Sequence, residues 1–278
     1  MQMMTGIKVV TLAVNLPGPA AAQRLRQMGA EVIKVEPPGG DPMAHYNRQW
    51  YEDMAAGQSV ITIDLKSEQG RVTLFELLAG ADLLITATRP SAMARLGLEP
   101  ESLLYRFPRL CQVTIVGYPV PRENEAGHDL TYQASMGLID PPHMPRTLLS
   151  DMAGAERTVS TALTLLFNRE RSGKGAYATV PLSEAVELLA EPLRYGSTLP
   201  GATLGGGIPE YNIYRTSDGW VAVAALEPHF KLRLEQGLGI ASAQEYRDAF
   251  AAQSSGYWQA WGQQHDVPIE TVRDHVQA

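Results

Sequence analysis

The chain has 278 residues, 45% of them hydrophobic and 19% charged, which is the balance of a globular protein with one large or two smaller domains. Its net charge of −7 argues against generic binding to nucleic acid or to an anionic membrane surface. A single cysteine, Cys111, excludes an internal disulfide framework and a thiolate-rich metal site, and its place in the apolar run LCQVTIVGY makes it a small buried residue. His45, His143, His229, His265 and His275 show no metal-ligand spacing, so no metal is expected. The opening MQMMTGIKVVTLAVN has no long apolar run, so neither a leader nor a membrane span is expected, and the location expected is cytoplasmic.

In chain order, IKVVTLAV (7–14) is a β-branched run that predicts a strand, followed by Pro17-Gly18-Pro19. AAAQRLRQMGA predicts a helix stopped at Gly29, and EVIKVEPP a second strand ended by prolines. Strand, turn, helix and strand in that order make a βαβ unit of a parallel sheet. SVITIDL (59–65), EQGRVTLFELLAGA and DLLITAT (82–88) repeat the pattern, and SAMARLGL and RLCQVTIVGY (109–118) extend it. Residues up to about 118 therefore form an open α/β layer, with ligands expected beyond the carboxyl ends of the strands. The first turn is P-G-P and not G-x-G-x-x-G, so a dinucleotide site is not indicated.

EAGHDLTYQASMG (125–137) then sets His128 beside Asp129 just ahead of a helix. Taken alone, such a pair is more often a turn and cap than a proton-moving pair. SDMAGAERTVSTALTLLFNRERSGKG predicts a long helix with Ser150 or Asp151 as N-cap and Gly173 and Gly175 at its end. AYATVPL predicts a strand and SEAVELLAEPLRYGS a helix. Residues 197–212, rich in Gly, Pro and Ser, are a linker or binding loop, and IYRTSDGWVAVAALE a hairpin turning at Ser217-Asp218-Gly219, with helices after it. This divides the chain into a large α/β domain over 1–196, a glycine-rich linker over 197–211 and a small α+β domain over 212–278.

Several fragments, in order, resemble the family III CoA-transferases (CaiB/BaiF). They are LPGPAAAQRLRQMGAEVIKVEPPGGDP, SVITIDLKSEQG, ADLLITATRPSAMARLGL, AGHDLTYQASMGL, RERSGKGAYATVPLSEA and DGWVAVAALEPHF. The resemblance implies a Rossmann-like large domain with a mostly parallel sheet, a smaller α+β domain, and a homodimer of interlocked protomers. It is nearest the α-methylacyl-CoA racemase branch, whose G-H-D-x-x-Y is matched by Gly127, His128, Asp129 and Tyr132. The aspartate of that branch at the start of the next long helix is matched by Asp151, and its glutamate in A-x-E-P-x-F by Glu227.

The resemblance implies that His128 and Asp151 exchange the α-proton of a 2-methylacyl-CoA or related thioester, each serving as base in one direction and acid in the other. Glu227 then orients His128, and unpaired N–H groups at the start of the Asp151 helix receive the thioester oxygen. Coenzyme A enters as part of the substrate, with no tightly bound cofactor; Arg89 and Arg95 fall near its phosphates, Val35, Ile63, Leu65 and Lys66 near its adenine, and Tyr132 beside its pantetheine arm. The alternatives are a CoA-transferase carrying the acyl group as an anhydride on Asp129, and a CoA-binding relative of reduced activity. Met136, Leu138 and Ile139 line an acyl pocket or are core. Three segments depart from the family's pattern. MAAGQ (54–58) stands where members carry a basic run, which implies a weaker hold on CoA; GYPVPRENEAG replaces a glycine-rich loop; and members continue past the segment matched at the C-terminus, which implies a missing return of the chain onto the large domain.

Overall fold

The computed structural model describes residues 2–240 and 242–273, so that His275 lies outside the described residues. The chain divides into two compact units, Met1–Ala190 and Glu191–Ala278.

The first unit is built on six parallel strands: β1 (Lys8–Thr11), β2 (Glu31–Glu36), β3 (Ser59–Thr62), β4 (Leu83–Thr86), β5 (Cys111–Val116) and β6 (Tyr177–Pro181). They lie in the order β3-β2-β1-β4-β5-β6, with Val10 registered against Ile33 on one side and Leu84 on the other. The order reverses between β1 and β4, and a crevice at that switch point is where open parallel sheets bind ligands. Between the strands run α1 (Pro17–Gln27), α2 (Met43–Tyr46), α3 (Arg48–Ala55), α4 (Glu68–Ala79), α5 (Pro90–Arg95), α6 (Pro100–Arg106), α7 (Asp129–Ser135), α8 (Leu149–Ser172) and, after β6, α9 (Leu182–Leu189).

Because side chains alternate along a strand, each central strand feeds two cores. Val9, Ile85 and Val113 pack under Leu25 of α1 and Val159 and Ala162 of α8, while Val10 and Leu84 pack under Leu74 and Leu78 of α4 and Leu98 beyond α5. Helix α1 begins at Pro17, so the P-G-P segment is its first turn and not a loop before it. A proline there loses no helical hydrogen bond.

Helix α8 starts two or three residues earlier than the sequence implies: its N-cap is Leu148, and Ser150 and Asp151 lie inside the first turn. The reason is that its cap comes from elsewhere in the chain, as described below. Gly173 ends the helix at φ +72, where a side chain would be strained.

The second unit opens with α10 (Glu191–Arg194). The single helix expected over SEAVELLAEPLRYGS is broken at Ala190, because Pro192 cannot donate to the turn before it. Residues 191–196, placed with the large domain in the sequence, group with this unit. A short 3-10 turn (Thr203–Gly205) leads into an antiparallel sheet of β7 (Tyr211–Arg215), β8 (Trp220–Ala224) and β9 (Ile269–Thr271), with α11 (Pro228–Leu238), α12 (Ala243–Ala251) and α13 (Ser255–His265) between the last two strands. Tyr214, Val223, Tyr246, Phe250, Trp258 and Ile269 form its core. No helix among the described residues is long and apolar enough to cross a membrane.

Candidate active site

Three cavities adjoin one another at the parallel sheet, two of them at the carboxyl ends of the strands and the third running back from there along β5. The middle one, of about 310 Å³, lies at the switch point and is lined by Val14 and Asn15 after β1, Ala87 and Arg89 after β4, and Ile115 to Gly117 at the end of β5. His128, Tyr132 and Asp151 complete its wall. The structure thus brings together the histidine and the aspartate that the sequence set 23 positions apart (128 to 151).

His128 is the exposed N-cap of α7, and the Thr131 hydroxyl holds that turn by accepting from the His128 N–H at 3.1 Å and donating to its carbonyl at 2.7 Å. Tyr132 is buried one turn on, and its hydroxyl occupies the space that a Cβ at Gly117 or Gly127 would take, at 2.4 and 2.5 Å. Those two glycines are therefore required by close approach. Burial, with the Tyr118, Asp151 and Asp129 groups adding to it, pushes the Tyr132 phenol up to about 12, so it stays protonated at neutral pH.

Asp129 does not line this cavity. It is 4% exposed, and both oxygens are engaged: Oδ1 accepts from the N–H groups of Ser150 at 2.7 Å and Asp151 at 3.0 Å, and Oδ2 accepts from Gln133 Nε2 at 2.5 Å. A carboxylate is thereby docked on the positive end of α8, and it replaces the local side-chain cap the sequence suggested. Two expectations change. The N–H groups of Ser150 and Asp151 are already taken, so the helix start is not free to receive a thioester oxygen. Asp129, held on both oxygens, is not placed as a free nucleophile.

Asp151 lines the cavity, as do Glu123 and Glu125, and of these carboxyl groups it is the one that burial raises. Burial, followed by the negative charge of Asp129, pushes it from the ordinary 3.8 up to about 7. That is the range where histidine ordinarily titrates. Glu227 belongs to the second unit, where it is the exposed N-cap of α11 ahead of Pro228.

The second cavity, of about 490 Å³, adjoins the first at Val14. Val35, Ile63, Leu65 and Lys66 all line it, with Pro37, Pro38 and Gly39 of the loop after β2. Arg89 lines the middle cavity, and Arg95, in the exposed last turn of α5, lines neither. Met136 and Leu138 pack against the core beneath α8 and line neither cavity.

Sequence reasoning passed over a buried network beneath these walls. Lys34, 1% exposed, donates to Glu36 Oε1 at 2.7 Å and Asp41 Oδ2 at 2.6 Å, and the Tyr51 hydroxyl donates to Glu36 Oε1 at 2.8 Å. Asp41 Oδ1 accepts from the N–H groups of Asn15 and Met43, both at 2.9 Å. Asn15 itself sits at φ +67, a conformation asparagine tolerates better than most residues. The signal was a lysine within the strand VIKVE, where a charge must find partners to be buried.

The profile of CoA-transferase family III matches residues 4–278. The α-methylacyl-CoA racemase of Mus musculus is 30% identical over 286 residues, which cover 91% of this chain and 73% of the racemase. The succinyl-CoA–D-citramalate CoA-transferase of Chloroflexus aurantiacus is 31% identical over 263 residues, 84% of this chain and 64% of that enzyme. Among solved structures, a hypothetical protein from Mycobacterium tuberculosis superposes with a TM-score of 0.85 at 25% identity, over 99% of this chain and 86% of that one. Racemases and transferases thus stand at equal distance, and what is common to them is the family: the chain belongs to CoA-transferase family III.

Proposed function

We propose that the chain racemises or epimerises an acyl-CoA at Cα, with His128 and Asp151 as the acid–base pair. The observation that carries this is the Asp151 carboxyl, pushed up to about 7 in the same cavity as an exposed histidine. Inverting a carbon centre needs a base on one face and an acid on the other, with roles that reverse in the reverse reaction. A carboxyl that keeps its proton up to about 7 can serve as the acid as well as the base near neutrality, and a carboxyl at its ordinary value cannot.

In this reading, one group takes the α-proton while the thioester delocalises the charge onto its oxygen, and the other returns a proton to the opposite face. The Ser150 and Asp151 N–H groups are committed to Asp129, which leaves the Asn15 carboxamide, in the same wall, to donate to the developing enolate oxygen. Asp129 is a positioning residue that holds Asp151 at the start of α8. Glu227, on its match to the racemase branch, is assigned the role of orienting His128. The adenine of coenzyme A occupies the cavity of Val35, Ile63, Leu65 and Lys66, Tyr132 flanks the pantetheine arm, and Arg89 and Arg95 serve its phosphates.

A second reading, CoA transfer between carboxylic acids, is favoured by the transferases among the relatives. Since Asp129 is bound on both oxygens, the anhydride in that case belongs on Asp151. One experiment separates the two. In deuterated water a chiral 2-methylacyl-CoA should gain deuterium at Cα with no acceptor acid present. Absence of exchange, together with movement of CoA to an added carboxylate, would replace racemisation with transfer.

A further inference from the structure

The third cavity, of about 370 Å³, adjoins the middle one on the side away from the adenine cavity, and the two share Val116 and Glu123. It runs along the face of β5 that carries Gln112, Thr114 and Val116, beside Tyr177 and Thr179 of β6, with Met93 and Leu98 as its floor. This face of the sheet is covered by α4, α5 and α6 as far as β4, and the trough remains where that cover ends. From Val116 to Gln112 is four strand residues, about 13 Å.

Its exposed lining is mostly apolar; of its polar side chains, Tyr177 donates to Glu101, and two others, Glu123 and Gln112, each hold a buried acceptor without a partner among the described residues. Glu123 Oε2 is shielded from solvent and has no partner among the described residues, although Oε1 accepts from Asn124 at 3.3 Å. Gln112, 2% exposed, donates through Nε2 to Thr114 Oγ1 at 3.2 Å, and its Oε1 has no partner among the described residues. Turning the amide over would only exchange which of its atoms is left over. Such groups are costly to bury unless something else satisfies them.

We infer that this cavity receives the acyl chain of the thioester, and that the chain carries a hydrogen-bond donor, a hydroxyl or an ammonium group, that meets Glu123. The inference rests on the acyl-CoA reading of the middle cavity. The linear order supports it: carrier at β2 and β3, thioester at β1, β4 and β5, acyl group at β5 and β6. An apolar chain fills the trough, and its donor satisfies the carboxylate at the shared wall, with Gln112 open to a second polar group deeper in.

Calorimetry with unreactive thioethers tests this without any turnover. The probes are free CoA, S-hexyl-CoA, S-(4-hydroxyhexyl)-CoA and S-(4-aminohexyl)-CoA. S-hexyl-CoA should bind at least about 10-fold tighter than free CoA, and one of the two donor analogues at least about 10-fold tighter again, identifying hydroxyl or ammonium. Glu123→Gln should remove an ammonium preference. Thr179→Trp and Val120→Trp, both at exposed positions on the cavity rim, should each remove most of the hexyl gain, with thermal melting to check that they fold. If free CoA binds and S-hexyl-CoA binds no tighter, the subsite assignment is overturned and the acyl-CoA reading stands. A hexyl gain with no preference for either donor overturns the chemical class. Failure of free CoA itself to bind overturns both readings.

Discussion

A carboxyl group placed where Asp151 sits is held more easily protonated than charged, and this has opposite consequences for stability and for chemistry. Unfolded, the group titrates near 3.8; in the fold it titrates near 7. Between those values the folded chain keeps a proton that the unfolded chain has lost, so rising pH costs stability. Asp151→Asn removes that titration. The variant should match the wild type near pH 4 and exceed it by about 2–4 kcal/mol at pH 8, the lower end allowing for solvent in the cavity, as read from urea midpoints. The same change should cut α-proton exchange by at least about 100-fold, as should His128→Ala. Asp129 makes a contrasting case. Asp129→Ala strands two N–H groups of α8 and removes one of the two bonds that Gln133 Nε2 donates, a loss of about 3 kcal/mol. Asp129→Asn keeps one acceptor oxygen, and by removing the neighbouring charge it should move the Asp151 limb of the pH–rate profile to lower pH. A profile that stays in place while activity falls would mean that Asp129 acts by some route other than its charge.

At the scale of elements, the β1–α1 turn depends on a lysine it does not contain. Lys34 neutralises Glu36 and Asp41, and Asp41 in turn holds the Asn15 N–H at the cavity wall. Lys34→Met leaves two buried carboxylates uncompensated and should cost about 3–5 kcal/mol. Equal stability for Lys34→Met and wild type in urea would show that the carboxylates relax to solvent. This network also shows why the sequence was legible only in part. The strands and α1, α4 and α8 follow from apolar periodicity and punctuation by Gly and Pro, both local signals. The placing of Val35, Ile63, Leu65 and Lys66 in one cavity was legible through likeness alone, because adjacency of β2 and β3 ends is a product of the sheet order. Asp129 as a cap for a helix 20 residues downstream (129 to 149) left no local mark, and Ser150 and Asp151, which lie inside the first turn, offered nearer caps to the eye. The short β9 strand was invisible for a related reason. Three residues carry no period, and Ile269–Thr271 is a strand because β8 offers it an edge.

For the whole molecule, the exposed apolar surface argues for association. Phe167 on α8 and Leu188 on α9 are each 66% exposed, and Leu163, one turn before Phe167, is exposed as well. Helices α8 and α9 pack on each other, so these side chains belong to neighbouring elements, and exposed apolar side chains that gather into one patch mark a protein interface. The small domain read from the sequence over 212–278 is near the size at which a domain alone buries too little surface to be robust, and pairing with a second chain would add to its core. We therefore propose a homodimer, with Glu227 of one protomer serving His128 of its partner. Light scattering should give twice the chain mass of 30.3 kDa, and Phe167→Glu should shift it toward a single chain at low concentration. The sharing of the site has its own test. His128→Ala and Glu227→Gln chains, each inactive alone, are unfolded together and refolded as a mixture. If the two residues meet across protomers, a mixed dimer carries one site with both residues intact, and exchange activity should return to about a quarter of the wild type. That fraction follows because half the dimers are mixed and each holds one working site of two. No recovery, with mixed dimers demonstrated by mass, would assign both residues to the same chain.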